Sequence, residues 1–341
     1  MKSTLRSRLL NGQTGDPALL VNLRWQGRAF LIDLGRIDRT SATTLLRIER
    51  VFVSHTHMDH FMGFDQLLRV FLARDTTLRI YGPAGIADCV QGKLHGYTWN
   101  LTDEYQFAIE VTEISAETLT SWRFAASTKF TREPLGTPQP FRGIAFEDKV
   151  CTVEAAPLDH KVVSIAYAIT EHPHMNVQAE ALDASGLRPG PWLNQLKLAL
   201  RTTPSPDATI EVAPGDRRSV IELRDRLLTI TPGQKIAYTV DTLFSPANAA
   251  KIVRLAADAD LFYCESPFLD ADLDQASKRY HLTAGQAGAL ARAAGAKRLH
   301  VFHFSPRYEG RYGELVTEAH AEYSGGRMQY ADLDRPRAAV S

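Results

Sequence analysis

Cysteine is nearly absent from this 341-residue chain: Cys89, Cys151 and Cys264 stand far apart, with no CxxC pair. That excludes a disulfide framework and a thiolate zinc site, and it fits a reducing compartment. Long apolar runs are missing as well. No stretch approaches the roughly 20 residues that a membrane-spanning helix needs. Before Asn11 the only apolar pair is Leu9-Leu10, too short for the core of a secretory signal. The expectation is a cytoplasmic protein without membrane contact. An excess of either charge is also lacking, since 39 Lys and Arg balance 39 Asp and Glu. No global field draws such a chain to polyanions, so affinity for nucleic acid has to come from a local basic surface or a specific site.

What the chain does have is alternating short apolar runs and polar turns. Leu19–Trp25, Ala29–Leu34, Val51–Ser54 and Leu78–Tyr81 read as strands, with a helix over Met62–Ala73 between the last two. Phe107–Val111, Val150–Ala155 and Val162–Ile169 extend the β-rich part. From Glu171 the composition changes: residues 171–232 hold seven prolines and the segment Gly186-Leu-Arg-Pro-Gly-Pro-Trp192, which leads into a short helix Trp192–Leu200. Such punctuation marks an insertion or arm. Strand and helix then alternate again: Lys235–Val240, a helix Ala247–Ala257, Leu261–Cys264, a helix from Thr283, and Leu299–His303. This is an α/β pattern, and at roughly 150 residues per domain the length fits two domains or one large α/β domain.

The chemistry is concentrated in His55-Thr-His57-Met-Asp59-His60, directly after the apolar run Val51–Ser54. In an extended segment residues i and i+2 point to one side, so His55 and His57 converge on one ion, and the turn that follows brings Asp59 and His60 towards a second. Imidazole nitrogen and carboxylate oxygen suit zinc and similar divalent ions, and the lack of cysteine ligands points to a hydrolytic site. Further ligands are expected at strand ends. His160 closes Pro157-Leu-Asp-His160 between two strands, Asp241 follows Lys235–Val240, and His303 ends Leu299–His303. Singly, each fits a capping carboxylate or a half-buried imidazole bonded to backbone; together they favour a metal centre.

These strings resemble the metallo-β-lactamase superfamily, and within it the ribonuclease Z family of tRNA 3′-processing endonucleases. Phe61-Met-Gly63 continues the histidine motif, and Ile80-Tyr-Gly-Pro-Ala-Gly-Ile86 is similar to the family's strand and turn. Pro157-Leu-Asp-His160 with Ser164 and Tyr167-Ala168-Ile169 resembles its PLDHxxxSxGYxI element. Leu187-Arg-Pro-Gly-Pro-Trp-Leu193 with Gln195-Leu-Lys197 resembles the family's tRNA-gripping arm. His281-Leu-Thr283 with Gln286-Ala287, and His303-Phe-Ser-Pro-Arg-Tyr308, complete the series in order.

The resemblance implies a four-layer αββα sandwich, one domain over residues 1–341 with residues 171–232 as an inserted arm. It implies His55, His57 and His160 on one divalent ion, Asp59, His60 and His303 on another, and Asp241 bridging them. Zinc is the expected metal, though manganese or iron accept the same donors. Two such ions acidify the water between them, with Asp59 as proton acceptor. His281 is the implied proton donor to the leaving oxygen, with Glu265 its neighbour; Arg307 and Tyr308 suit contacts to phosphate or nucleotide, and Arg307 suits a buried structural ion pair nearly as well. Thr283-Ala-Gly-Gln286 reads as a capping box, so His281 precedes a helix N-terminus whose dipole tends to lower its pKa, with Glu265 as the offsetting charge.

The implied substrate is precursor tRNA, helped by basic Arg188, Lys197 and Arg201 near the arm segment, and the implied assembly a homodimer. A small phosphodiester such as a cyclic nucleotide is the alternative substrate. The chain departs from the family at Asn11–Asp16, at Asp33–Asp38 in place of a GEGTQ-like loop, and at Val240, where glycine is usual. Residues 112–140 carry no family motif. A non-catalytic RNA-binding protein is opposed by the filled ligand positions, and a carbonyl hydrolase by the His281 and His303 motifs.

Overall fold

A computed structural model describes residues 4–201 and 205–325, and the chain divides by its contacts into two units, one running to Thr170 and resuming at Gln234, the other Glu171–Gly233. The first unit holds, among the described residues, a nine-stranded and a six-stranded sheet. In the larger, Leu5–Leu9, Leu19–Leu23, Arg28–Ile32, Ile48–Phe52, Thr77–Pro83, Ala108–Ile114 and Thr118–Ala125 lie side by side in chain order. Arg132–Pro134 and Gln139–Pro140 both pair with the last of these. In the smaller sheet the order is Ile144–Glu147, Cys151–His160, Val162–Glu171, Lys235–Thr239, Leu261–Glu265 and Leu299–Phe302.

Successive strand residues face opposite sides, and here both sides are apolar. Leu19, Val21 and Leu23 pack with Tyr167, Ile169, Ile236 and Tyr238, which places a core between the two sheets. Leu20, Leu31, Val51 and Ile80 face away from it and pack under Phe64–Phe71 and Ile86–His95. On the far side of the smaller sheet, Ala166, Ala237, Phe262 and Val301 pack under Pro246–Leu255, Ala284–Ala293 and Tyr312–Tyr323. Two helical layers thus enclose two sheets, the αββα sandwich. Continuous apolar runs such as Ala29–Ile32 are what strands buried on both faces require.

Several elements differ from the sequence reading. The helix expected over Met62–Ala73 starts at Phe64, after a separate turn Met58–Phe61. Gly63 lies between them, where a Cβ would fall 2.2 Å from Gly35 O, so the backbone crosses another loop at a distance only glycine permits. Pro157–His160 is not a link between strands but the end of the strand Cys151–His160. Its alternation buries Leu158 and His160 and exposes Asp159, and the chain reverses within the single left-handed residue Lys161, at φ 62°. The motif-free stretch 112–140 is the strand Thr118–Ala125, antiparallel to Ala108–Ile114, and its two short partners. Neither Leu5–Leu9 nor Ile144–Glu147 was read as a strand from the sequence.

The second unit has its own small core of Leu182, Trp192, Leu196, Val220, Leu223 and Leu227. It is built from helices Ala179–Ala184, Trp192–Ala199 and Val220–Leu227 and two antiparallel pairs, His174–Val177 with Leu228–Thr231 and Thr209–Ala213 with Asp216–Ser219. Its ends meet at Gly233, where a Cβ would lie 1.9 Å from Glu171 O. Arg188 and Arg201 are exposed and Lys197 partly so. Residues 202–204, inside the range read as an arm, lie outside the described residues. No helix among the described residues is long and apolar enough to cross a membrane.

Candidate metal centre

The residues singled out in the sequence sit where strands of both sheets end. Two of them, Asp241 (φ 45°) just after Lys235–Thr239 and His303 (φ 61°) directly after Leu299–Phe302, are themselves left-handed, and so is a third residue of the site, Asp33 (φ 58°), directly after Arg28–Ile32. For a side chain with a Cβ this conformation costs about 1–2 kcal/mol. It turns the chain sharply off the strand and brings the three side chains to a common place.

Asp241 is the hub. Its Oδ2 lies 3.4 Å from His55 Nε2, 3.4 Å from His60 Nε2 and 3.5 Å from His160 Nε2. Asp59 Oδ2 is 3.4 Å from both His60 Nε2 and His303 Nε2. Donor atoms of His55, His57, His160 and Asp241 fall within 4.8 Å of one another, and so do those of Asp59, His60 and His303. All seven side chains named from the sequence are therefore close together, and a further overlapping group joins Asp241 and His303 to Glu265 and His281.

Their burial tests whether a cation fits. His55 Nε2, His60 Nε2, His303 Nδ1 and Asp241 Oδ1 are buried without a hydrogen-bond partner, although His303 Nδ1 and Asp241 Oδ1 are only 2.9 Å apart. Each unsatisfied buried atom costs about 1–3 kcal/mol. Four such atoms converging, with no thiolate among them, form a donor set for a divalent ion, so the residues fit the metal that the fold implies.

The electrostatics agree. Burial, then the neighbouring charge of His60, pushes the His55 pKa down to about 2, so this imidazole is neutral and ready to ligate. Burial also lowers His57, helped by His160. At His60 burial opposes the charge, but the carboxylates of Asp241 and Asp33 outweigh it and hold the pKa well above the ordinary value. His303 is raised in the same way, burial being outweighed by Asp241. Burial works against the Asp241 carboxylate, yet the charges of His303 and His60 hold it well below the usual range.

Beside this cluster, His281 Nδ1 donates to Glu265 Oε2 at 2.8 Å. Glu265 is fully buried, and its Oε1 accepts from Thr242 N (3.0 Å) and Leu282 N (3.1 Å). The expected capping box forms: Gln286 N donates to Thr283 Oγ1 at 3.2 Å, and Thr283 N to Gln286 Oε1 at 3.0 Å. Burial is the largest single influence on His281 and lowers its pKa, but the charge and hydrogen bond of Glu265, joined by the charge of Asp241, outweigh it, and the net shift is upward.

The ribonuclease Z of Deinococcus radiodurans is 31% identical to this chain over 331 residues, 95% of the chain and 97% of the relative. The chain belongs to the ribonuclease Z family. A second relative, the ribonuclease Z of Thermobifida fusca, is 33% identical over 92% of the chain and 86% of its own length. Ribonuclease BN of Cronobacter sakazakii is 33% identical over 83% and 79%. No family model matches the chain. Among solved structures, the short form of human tRNase Z aligns with a TM-score of 0.52 at 20% identity, over 89% of this chain and 92% of that one. The metallo-β-lactamase fold protein YhfI of Bacillus subtilis gives 0.53 at 17% identity, over 95% of each. At these identities both report the fold.

Two parts of this ribonuclease Z family site escaped the sequence reading. Asp33 is fully buried, and its Oδ2 accepts from His60 Nδ1 (2.9 Å) and the Tyr238 hydroxyl (2.7 Å) while Oδ1 accepts from Ser54 N (2.7 Å). With Nδ1 so occupied, His60 presents Nε2 to Asp59 and Asp241. The only signal in the sequence was an isolated carboxylate straight after an apolar strand. His160 Nδ1 is held likewise at 2.7 Å, by the backbone carbonyl of Tyr280, another left-handed residue at φ 60°. The expectation for Tyr308 changes. It is buried, its hydroxyl donates to Asp272 and accepts from Leu269 N at 3.2 Å, so it is committed to structure. Arg307 lies 3.5 Å from Asp272 and over the Phe268 ring.

Proposed function

We propose that this chain is a metal-dependent endoribonuclease that removes the 3′ trailer of precursor tRNA. In this reading His55, His57 and His160 would hold one divalent ion and Asp59, His60 and His303 a second, with Asp241 as a donor common to both and zinc as the metal. The observation that carries it is the convergence of these seven donors, four with buried unpartnered atoms, in a chain aligned with a ribonuclease Z over nearly its whole length.

Divalent ions at such a centre polarise a phosphodiester and make water acidic enough to attack at neutral pH. The chain supplies the proton handling. The Asp59 carboxylate, at the edge of the cluster, takes the proton of the attacking water. His281, with Nδ1 fixed by Glu265, delivers a proton from Nε2 to the leaving oxygen. The upward shift of its pKa keeps that proton available, and the buried carboxylate stabilises the imidazolium before transfer. Glu171–Gly233, with exposed Arg188 and Arg201, is the part assigned to gripping tRNA.

An unprocessed tRNA transcript with a 3′ trailer tests the reading against a cyclic nucleotide offered under the same conditions. The reading expects a single cut at the 3′ end of the mature sequence and no significant turnover of the cyclic compound. The reverse pattern would assign a small phosphodiester as the substrate.

A further inference from the structure

A cavity of about 380 Å³ opens over the cluster, lined by His57, Asp59, His281, His303, Phe268 and Arg279 among others. An RNA strand entering it carries a negative charge on every phosphate, and the cluster's own carboxylates repel those that do not reach an ion. Some cation has to receive a neighbouring phosphate. Arg279 is the one lysine or arginine among the lining residues. Two other cations of this region are engaged. Arg307 faces Asp272 at 3.5 Å, and Lys161 Nζ lies 4.9 Å over the Tyr280 ring. Arg279 is exposed, and among the described residues no carboxylate pairs with it.

Its placement is firm. Arg279 ends the helix Leu273–Arg279, and left-handed Tyr280 turns the chain so that His281 N bonds back to Ala276 O at 2.9 Å. The same turn delivers His281 to Glu265 and the Tyr280 carbonyl to His160. A cation at a helix C-terminus is favourable in its own right. That accounts for an arginine at the end of the helix, but not for a guanidinium lining the reaction cavity without a partner.

We propose that Arg279 is a positioning residue that grips the phosphate next to the scissile one. The inference rests on the RNA-cleaving reading above. A guanidinium fork bonding two phosphate oxygens is worth more than a point charge, so lysine replaces it only in part.

Steady-state kinetics on a 3′-extended tRNA transcript and on bis(p-nitrophenyl) phosphate test it, since the small diester has no adjacent phosphate. Arg279→Gln is expected to raise KM for the transcript about tenfold to a hundredfold, the worth of a lost charge-assisted bond. The loss on the transcript should exceed that on the small diester at least about tenfold. Log kcat/KM should also fall less steeply with log salt, by about one unit of slope, and Arg279→Lys should recover part of both effects. Equal losses on the two substrates, or an unchanged transcript KM and salt slope, would overturn the anchor alone. Failure of the unaltered enzyme to cut the transcript would overturn the RNA reading and the anchor together.

Discussion

His281 Nδ1 and Glu265 Oε2 meet at 2.8 Å, with Glu265 fully buried and its other oxygen taken by two backbone amides. The pair fixes which imidazole nitrogen is left to give up a proton. Glu265→Gln and His281→Ala are therefore expected to lower kcat on a tRNA transcript by about a hundredfold or more with KM little changed, the usual reach of general acid catalysis. The loss on bis(p-nitrophenyl) phosphate should be far smaller, because nitrophenolate leaves without a proton. Parallel kinetics on both substrates check this, and equal losses would remove His281 from the acid role. A change in kcat here, against a change in KM at Arg279, separates proton delivery from phosphate binding.

Asp241 touches both donor groups, and His60 Nε2 lies within 3.4 Å of Asp241 and of Asp59. Asp241→Ala and His60→Ala should each bring hydrolysis of either substrate below detection and reduce the metal retained after gel filtration. Full activity of either variant at limiting metal would contradict the shared two-ion site.

Asp33 acts through His60. Asp33→Asn keeps a residue type that tolerates left-handed backbone but removes the carboxylate that His60 Nδ1 and Tyr238 address. Metal affinity should weaken about 10–100-fold, measured by competition with a chromogenic chelator. Tyr238→Phe, which removes only one bond to Asp33, should show a smaller effect. Unchanged affinity in Asp33→Asn would reduce Asp33 to a structural residue.

The site was legible in the sequence where its information is local. His55, His57, Asp59 and His60 follow one strand, and His160, Asp241 and His303 each stand at or just beyond another's end, so residue type and position sufficed. Asp33 and Tyr280 were not legible, because their roles come from tertiary approach. Asp33 is 27 positions from His60, and Tyr280, 120 positions from His160, contributes a backbone carbonyl with no side-chain signature. The strand that ends at His160 extends past the apolar run Val150–Ala155, because alternating burial continues through Leu158 and His160. The helix after the histidine motif was begun too soon because the close crossing of Gly63 and Gly35 leaves no trace in hydrophobic period.

The second unit offers a clean excision. Thr170 and Lys235 are register partners on antiparallel neighbours, Val162–Glu171 and Lys235–Thr239. Replacing residues 171–234 by a tight Asn-Gly turn, which closes directly on the Thr170–Lys235 pair, should leave a simple hairpin and a folded sandwich. Transcript cleavage should fall by orders of magnitude while the small diester is still hydrolysed. Parallel loss of both activities in a folded, metal-loaded variant would contradict an arm that serves only substrate binding.

The most direct test of a two-ion centre acting on RNA is a zinc titration of chelator-stripped protein, with cleavage of a 3′-extended tRNA transcript read at each point. Cleavage should saturate at two equivalents per chain and produce one cut at the 3′ end of the mature sequence. Full cleavage at one equivalent, or in the stripped protein, would contradict the two-ion centre, and no cleavage at any loading would contradict the RNA substrate.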